Sequence, residues 1–387
     1  MSKSSFSIDI APAVIDDLRR RVGQTRWPID FANDQWAYGT NLDYLKELAG
    51  YWADGYDWYR HQRAMNQFAN YKTTIQGVPI HFIHEAGKGP KPIPIILSHG
   101  WPWTFWDYEK VIGPLSDPAA FGGDARDSFD VVVPSLPGFG FSTPLTVPGI
   151  NYWRTADFWV ELMQTVLGYG KFAAGGGDWG AFITNQLGHK YADRLIGIYL
   201  TMTLPLDFSP GNFPKGDDYA PHEKAWLERG RHFSAGESGY AAIQMTKPQT
   251  LSYGINDSPA GLCAWILEKR RTWSDCGGEV EKRFSKDDLL TTMTLYWVTD
   301  SFVTSARYYY EAAHNPWKAS HQRTPAVEAP TAVGVFPADI MRFPRGWMER
   351  HFNLLHWKEF PAGGHFAPAE EPALLVEDLR EFFRRFR

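Results

Sequence analysis

From residue 93 onward, short apolar runs alternate with helical stretches, and this alternation restricts the fold more than any other feature. IPIILS, FDVVVPS, KFAAGG, LIGIYLTM, TAVGVF and FNLLHWKEF are short, mostly apolar strand candidates. Helical patterns near 104–112, 153–167, 180–190 and 345–351 separate them, and a helix over 372–386 closes the chain. Such a series builds a mostly parallel sheet covered by helices on both faces. Ligands gather at the carboxyl ends of strands in sheets of this kind. The series breaks between about 204 and 326, where Tyr- and Trp-rich helical pieces and Pro and Gly turns run without strands. Upstream, helices are expected over 11–22, after Asn41 and around 58–68, followed by a hairpin in YKTTIQGVPIHFIHE that turns at Gln76-Gly77. The first opens on Pro12 and sets Val14, Ile15, Leu18 and Val22 on one face. The expected division is an extension over 1–90 packed on the outside of the core, a core over 91–204 and 326–387, and a helical lid over 205–325.

One stretch, AAGGGDWGAF at 173–182, crowds glycines around a single carboxylate. Gly176-Gly177-Asp178-Trp179-Gly180 fits a small-x-nucleophile-x-small turn between the strand KFAAGG and the helix AFITNQLGHK. A turn that tight presses helix on strand, so Gly176 and Gly180 cannot carry bulk, and it aims the apex side chain into a pocket. A glycine-rich turn with Asp178 as a helix N-cap fits the same letters. An aspartate nucleophile needs no base, because a carboxylate is ionised near neutral pH. Attack on an ester would yield an anhydride, whereas attack on saturated carbon yields an enzyme ester. Water must then cleave that ester, and this step requires a base. His365, in FPAGGHFAPAEEP between the last strand and the closing helix, stands in the right place. Asp339, in TAVGVFPADI at the end of the preceding strand, is the favoured orienting acid. Glu349 and Glu359 fall within a helix and a strand and are weaker. The ester's oxyanion needs N–H donors. Trp179 supplies one backbone N–H, and Trp101, in His99-Gly100-Trp101-Pro102 after IPIILS, supplies another.

With these pieces placed, the sequence resembles an epoxide hydrolase of the microsomal type, within the α/β-hydrolase superfamily. YWADGYDW, GVPIHFIH, SHGWP, PSLPGFGFS, GGDWG, ESGY, TKPQT, NDSPAGL, ILEKRRTW, FSKDDLL and GGHFAPAEEP carry the resemblance over nearly the whole chain. HGxP and GGDxG are shared with haloalkane dehalogenases; ESGY and TKPQT are more specific. The resemblance implies an α/β-hydrolase fold with a helical lid insertion and an N-terminal extension. It also implies two lid tyrosines that hold the epoxide oxygen. By motif these are Tyr240 in GESGYAAIQ and Tyr309 in TSARYYYE, with Tyr308 and Tyr310 leaving the second open by one residue. The implied reaction converts an epoxide to a vicinal diol through an aspartyl ester, in detoxification or secondary metabolism, and the aromatic lid favours a hydrophobic or aryl-bearing substrate. A haloalkane or haloacid dehalogenase using the same ester, or a catalytically silent binding protein of this fold, are the alternatives. Trp103, where family members often carry Gly, is expected to narrow or reshape the pocket entrance.

Composition removes other classes. With 39 Lys and Arg against 44 Asp and Glu, the net charge of −5 makes no electrostatic case for nucleic acid or an anionic membrane. No apolar run reaches the 18 residues of a membrane span, and charges at Asp9, Asp16, Asp17 and Arg19–Arg21 break any signal-like stretch near the N-terminus. The chain is read as cytoplasmic and without a membrane anchor. Cys263 and Cys276 form no metal-ligand pattern and suit a reducing compartment. His81 and His84, three apart on a strand, point to opposite faces and make a poor shared metal site. No metal or cofactor is implied; the expected partners are a small-molecule epoxide and water, with a homodimer left open. Aromatic residues reach 16%, with 17 Trp, enough to line a pocket beyond what the core needs.

Overall fold

Nine strands among the described residues, 2–387, form one sheet in the computed structural model. They are β1 (Ser4–Ser5), β2 (Asn70–Ile75), β3 (Val78–Glu85), β4 (Ile93–Ser98), β5 (Phe129–Pro134), β6 (Phe172–Gly176), β7 (Leu195–Leu200), β8 (Val327–Val335) and β9 (Phe352–Glu359). Their order is β1-β2-β3-β5-β4-β6-β7-β8-β9. From β5 to β9 every neighbouring pair is parallel. Val131, Val132 and Val133 of β5 are all fully buried, as a strand covered on both faces requires. The strand order reverses about β4, and the loops after β4, β6, β8 and β9 leave the sheet at one edge, where an open α/β sheet binds its ligand.

The N-terminal region does more than pack on the outside. β1, β2 and β3 pair antiparallel, and β3 pairs antiparallel with β5, setting Phe82 opposite Pro134. The hairpin thereby covers the β5 edge, whose open N–H and C=O groups would otherwise invite another strand. Helices α1 (Pro12–Gly23), α2 (Leu42–Asp54) and α3 (Trp58–Met65) belong to the same region. α1 buries Ile15, Leu18 and Val22, while Val14 falls off this stripe and is 37% exposed.

Within the core run α4 (Glu109–Ser116), α5 (Tyr152–Val160), which continues into a π-helical turn over Glu161–Val166, and α6 (Trp179–Lys190). Between β7 and β8 the chain is helical: α7 (Lys224–Gly236), α8 (Gly239–Thr246), α9 (Pro248–Asp257), α10 (Pro259–Thr272), α11 (Lys286–Val298) and α12 (Phe302–His314). After β8 come α13 (Arg345–His351), α14 (Ala367–Glu370) and α15 (Pro372–Phe383). α12 packs against α8 and α9, which sets the helices that carry Tyr240 and Tyr309 side by side.

His81 is buried between Ser135 Oγ (2.9 Å) and Asn70 Oδ1 (3.0 Å), and burial lowers its pKa to about 3, so the ring stays neutral. His84 instead meets Lys3 Nζ and Tyr169 Oη, each at 2.9 Å. Among the described residues no helix is long and apolar enough to cross a membrane, and no group of three His, Cys, Asp or Glu side chains could hold a metal ion. Cys263 and Cys276 are buried free thiols.

Candidate active site

Asp178 sits between the last residues of β6 and the first of α6 with φ 51° and ψ −125°. A non-glycine residue held in such a region costs on the order of 1–3 kcal/mol and persists only where its surroundings dictate it. Here they do. A Cβ on Gly176 would stand 2.7 Å from both the Ser98 carbonyl oxygen and the Gly180 backbone; one on Gly180 would overlap the Ser98 carbonyl, and one on Gly100 would overlap the Asp178 side chain. Strand, turn and helix are pressed together against the end of β4. Asp178 occupies the N-cap position of α6, but its side chain makes no capping hydrogen bond.

That carboxylate turns toward the loop after β4. The Trp101 backbone N–H donates to Asp178 Oδ1 at 2.8 Å. His99 shapes the turn. Its Nε2 accepts from the Leu136 N–H (3.0 Å), which leaves Nδ1–H to donate to the Gly100 carbonyl (2.9 Å). Burial lowers its pKa to about 4 and keeps it neutral. The Trp101–Pro102 peptide bond is cis. Trp179 is the first residue of α6, where backbone N–H groups lack intrahelical partners.

Trp103 does not line an entrance. It is fully buried, with its carbonyl accepting from Tyr296 Oη at 2.9 Å and its ring edge-on to His365, centroids 5.4 Å apart. The glycine at 177 makes room for it, since a Cβ there would meet the indole at 3.0 Å. The side chain therefore packs beside the imidazole.

His365 lies in the loop after β9, with Nδ1 2.9 Å from Asp339 Oδ1 and Nε2 3.5 Å from Asp178 Oδ2. The second separation falls short of a hydrogen bond, and Nε2 has no other partner. Burial opposes charging the ring, but the Asp178 and Asp339 carboxylates outweigh it and raise its pKa to about 9. Asp339 Oδ1 also accepts the Ile340 N–H (2.7 Å), while Arg229 holds the Asp339 and Ala338 carbonyls at 2.7 and 2.6 Å. Glu349 pairs with Arg345, and Glu359 accepts from the Trp357 indole, so neither reaches His365. The sequence reading missed Arg229 and also Trp273, whose ring lies edge-on to His365 at 5.1 Å and tilted against Tyr240 at 5.1 Å. ILEKRRTW contains that tryptophan, but nothing local ties it to a histidine some ninety residues later.

Above the carboxylate, Tyr240 stacks on Trp101 with centroids 4.9 Å apart and planes at 8°. Of the three consecutive tyrosines on α12, Tyr308 spends its hydroxyl on Thr155 Oγ1 (2.8 Å) and Tyr310 is 36% exposed. Tyr309 alone is buried with an unpartnered hydroxyl, edge-on to Tyr240 (5.8 Å), Trp101 (5.8 Å) and Trp179 (4.7 Å). The Tyr240 and Tyr309 hydroxyls lie near enough to perturb one another without reaching hydrogen-bond geometry. Burial, reinforced by the Asp178 charge, holds both phenols far above their ordinary pKa, so both remain donors.

Fold and site together define an α/β-hydrolase whose elbow carries an aspartate, faced by a histidine–aspartate pair and two lid tyrosines. A family model described as the epoxide hydrolase N terminus matches residues 3–108, and one for the alpha/beta hydrolase fold matches residues 93–232. A Stigmatella aurantiaca (strain DW4/3-1) protein provisionally named an epoxide hydrolase is 42% identical over 383 residues, covering 99% of this chain and 85% of the relative. Epoxide hydrolase 1 of Oryctolagus cuniculus is 35% identical over 404 residues, covering 97% and 88%. The structure of Aspergillus niger epoxide hydrolase matches with a TM-score of 0.87 at 27% identity over 100% of this chain and 97% of that one. The juvenile hormone epoxide hydrolase of Bombyx mori matches with the same TM-score at 29% identity, over 100% and 95%. The chain belongs to the epoxide hydrolase family and is an enzyme of that class.

Proposed function

We propose that the chain hydrolyses a hydrophobic, aryl-bearing epoxide to a vicinal diol through an ester on Asp178. Asp178 Oδ2 attacks an epoxide carbon; the new C–O bond forms as the ring C–O bond breaks, and the departing oxygen is met by the Tyr240 and Tyr309 hydroxyls. An alkoxide is strongly basic and needs this acid assistance. Its proton is made good by His365, which enters the cycle protonated. The neutral imidazole, oriented by Asp339, then takes a proton from water, and hydroxide adds to the ester carbonyl. The Trp101 and Trp179 N–H groups receive the oxyanion on Oδ1, the oxygen that Trp101 already holds at 2.8 Å. Collapse releases the diol and restores the Asp178 carboxylate beside protonated His365, so the proton count closes. Aromatic walls from Trp101, Trp179, Trp273, Tyr240 and Tyr309 support an aryl substrate.

The observation that carries this reading is the buried, unpartnered Tyr309 hydroxyl beside Tyr240, above an elbow aspartate whose other flank is His365. One observation favours a second reading. The buried indole N–H groups of Trp101 and Trp179 are also unpartnered, and a dehalogenase would use such donors for a leaving halide. A panel of aryl and alkyl epoxides beside haloalkanes, with diol and halide release measured together, separates the two. His365→Ala should trap a covalent adduct visible by mass spectrometry. Tyr240→Phe and Tyr309→Phe should each slow its formation, since one preorganised donor is worth about 10²–10³ in rate. A double variant that opens epoxides at the parent rate, or a parent that releases halide and makes no diol, defeats the proposal.

A further inference from the structure

The loop that carries His365 is fastened to the lid. Beyond α10 the chain turns a corner through Trp273, Ser274 and Asp275, and hydrogen bonds join that corner to the loop. The His365 N–H donates to the Trp273 carbonyl and the Gly363 N–H to Asp275 Oδ2, each at 2.9 Å. Glu370 completes the join. One of its carboxylate oxygens accepts the Asp275 N–H (2.8 Å) and the other accepts the N–H of Phe366, the residue after His365 (2.9 Å). The glycine at 364 permits the approach, because a Cβ there would lie 2.7 Å from the Trp273 carbonyl and 2.9 Å from the Asp275 nitrogen. Arg283 braces the corner through Asp275 O and Oδ2, both at 2.7 Å, and reaches Glu371 at 2.6 Å.

A carboxylate is an expensive filler for this position, since Glu370 is only 8% exposed. Burial raises its pKa to about 7 against the pull of the two backbone N–H groups. Packing alone would be served by an apolar side chain. What the carboxylate adds is direction, because its two oxygens fix two segments of different elements relative to one another.

We propose that Glu370 is a positioning residue for His365, clamping the histidine loop to the lid corner at Asp275 so that the imidazole faces the ester during its hydrolysis. The inference rests on the ester mechanism proposed above. Attack by Asp178 does not use the ring as a base, and the ring returns its proton to the tyrosines only after the ester has formed, so the clamp acts on decay of the ester rather than on its formation.

Glu370→Gln keeps the shape but turns an amide NH₂ toward one of the two backbone N–H groups. Rapid mixing with epoxide, followed by quenching and mass spectrometry, reads formation and decay of the adduct separately. Formation should stay near the parent rate, and decay should slow about 10- to 100-fold, the range that a misplacement of about 1 Å can cost. Glu377→Gln, on the exposed face of α15, should behave as the parent. Decay at the parent rate, or equal slowing of both steps, overturns the clamp. Where Glu370→Gln fails to fold, Asp275→Ala removes the acceptor for Gly363 on the same loop and carries the same expectation. No adduct in either the parent or His365→Ala overturns the ester mechanism itself, and the clamp with it.

Discussion

In the proposed mechanism the Asp178 carboxylate becomes an ester and loses the negative charge that faces His365 Nε2 at 3.5 Å. In the resting protein two carboxylates outweigh burial and raise the ring to about 9, so it carries a proton at neutral pH. A histidine raised in the folded state contributes stability that is full below the ordinary imidazole range and is lost as pH climbs through about 9. Ester formation removes one of the two anions, burial is less opposed, and the pKa falls. On that proposal the same residue rests as an ion-pair partner and becomes a base when its neighbour is alkylated. Asp178→Asn mimics the loss of charge. In that variant the His365 ring should titrate well below 9 by NMR, and an unchanged midpoint would mean that Asp339 alone sets its charge. The two Asp178 oxygens have different partners: Oδ1 stays with Trp101, while Oδ2 faces His365 and is the one assigned to attack in the proposed mechanism.

At the level of elements, α10 touches the site at two places. Its end leads into the corner that holds the His365 loop, and Arg270 reaches inward to Asp107 at 2.6 Å, to the Pro102 carbonyl at 3.2 Å, and over the Phe366 ring at 4.1 Å. The pair is almost fully buried, and Asp107 also accepts the Thr104 N–H at 2.7 Å. Removing one partner strands a charge, so Arg270→Met should cost about 3–5 kcal/mol in urea unfolding, and Arg270→Met with Asp107→Leu should recover part of the loss. A single-variant cost below about 1 kcal/mol would show that the pair does not anchor the turn. Arg270 was not legible in the sequence, because an arginine in a helix reads as surface unless its partner is known. The alternation from residue 93 was legible, since strands covered on both faces write themselves as unbroken apolar runs. So was the meeting of Asp178, Asp339 and His365, each of which follows the end of a strand in one parallel sheet. Pairings between distant segments left no local trace. The β3–β5 contact, the place of Trp103 beside the imidazole and the two backbone partners of Glu370 all depend on how remote pieces pack.

Across the whole molecule, the N-terminal region is the piece that holds both the sheet and the lid. Its strands extend the sheet at β5, while its helices and the turns that flank them bond to the lid. Arg21 pairs with Asp257 at 2.7 Å, Thr40 Oγ1 donates to the Ala264 carbonyl at 2.8 Å, and Tyr51 Oη donates to Asp287 at 2.8 Å. Deeper in, Trp52 Nε1 donates to Thr294 Oγ1 and Tyr56 Oη meets Thr291 Oγ1, each at 3.0 Å. α10 and α11 are therefore pinned from behind by a segment whose own chain runs on into β2, and the loops they brace inherit that rigidity. Trp52, 1% exposed, is the place to test this. Trp52→Ala should cost about 3–5 kcal/mol, as large-to-small changes of buried aromatics do. The loss should not be spread evenly. Hydrogen exchange should quicken first in α10 and α11, where the indole bonds and packs, and last in β4 and β6, which the hairpin side of the region does not release. Because the corner after α10 holds the His365 loop, the same variant should also slow decay of the proposed aspartyl ester more than its formation. Equal loss of protection in α11 and β6 would mean that lid and sheet open as one unit, and the N-terminal region would then be a third part of a single core rather than the brace between two.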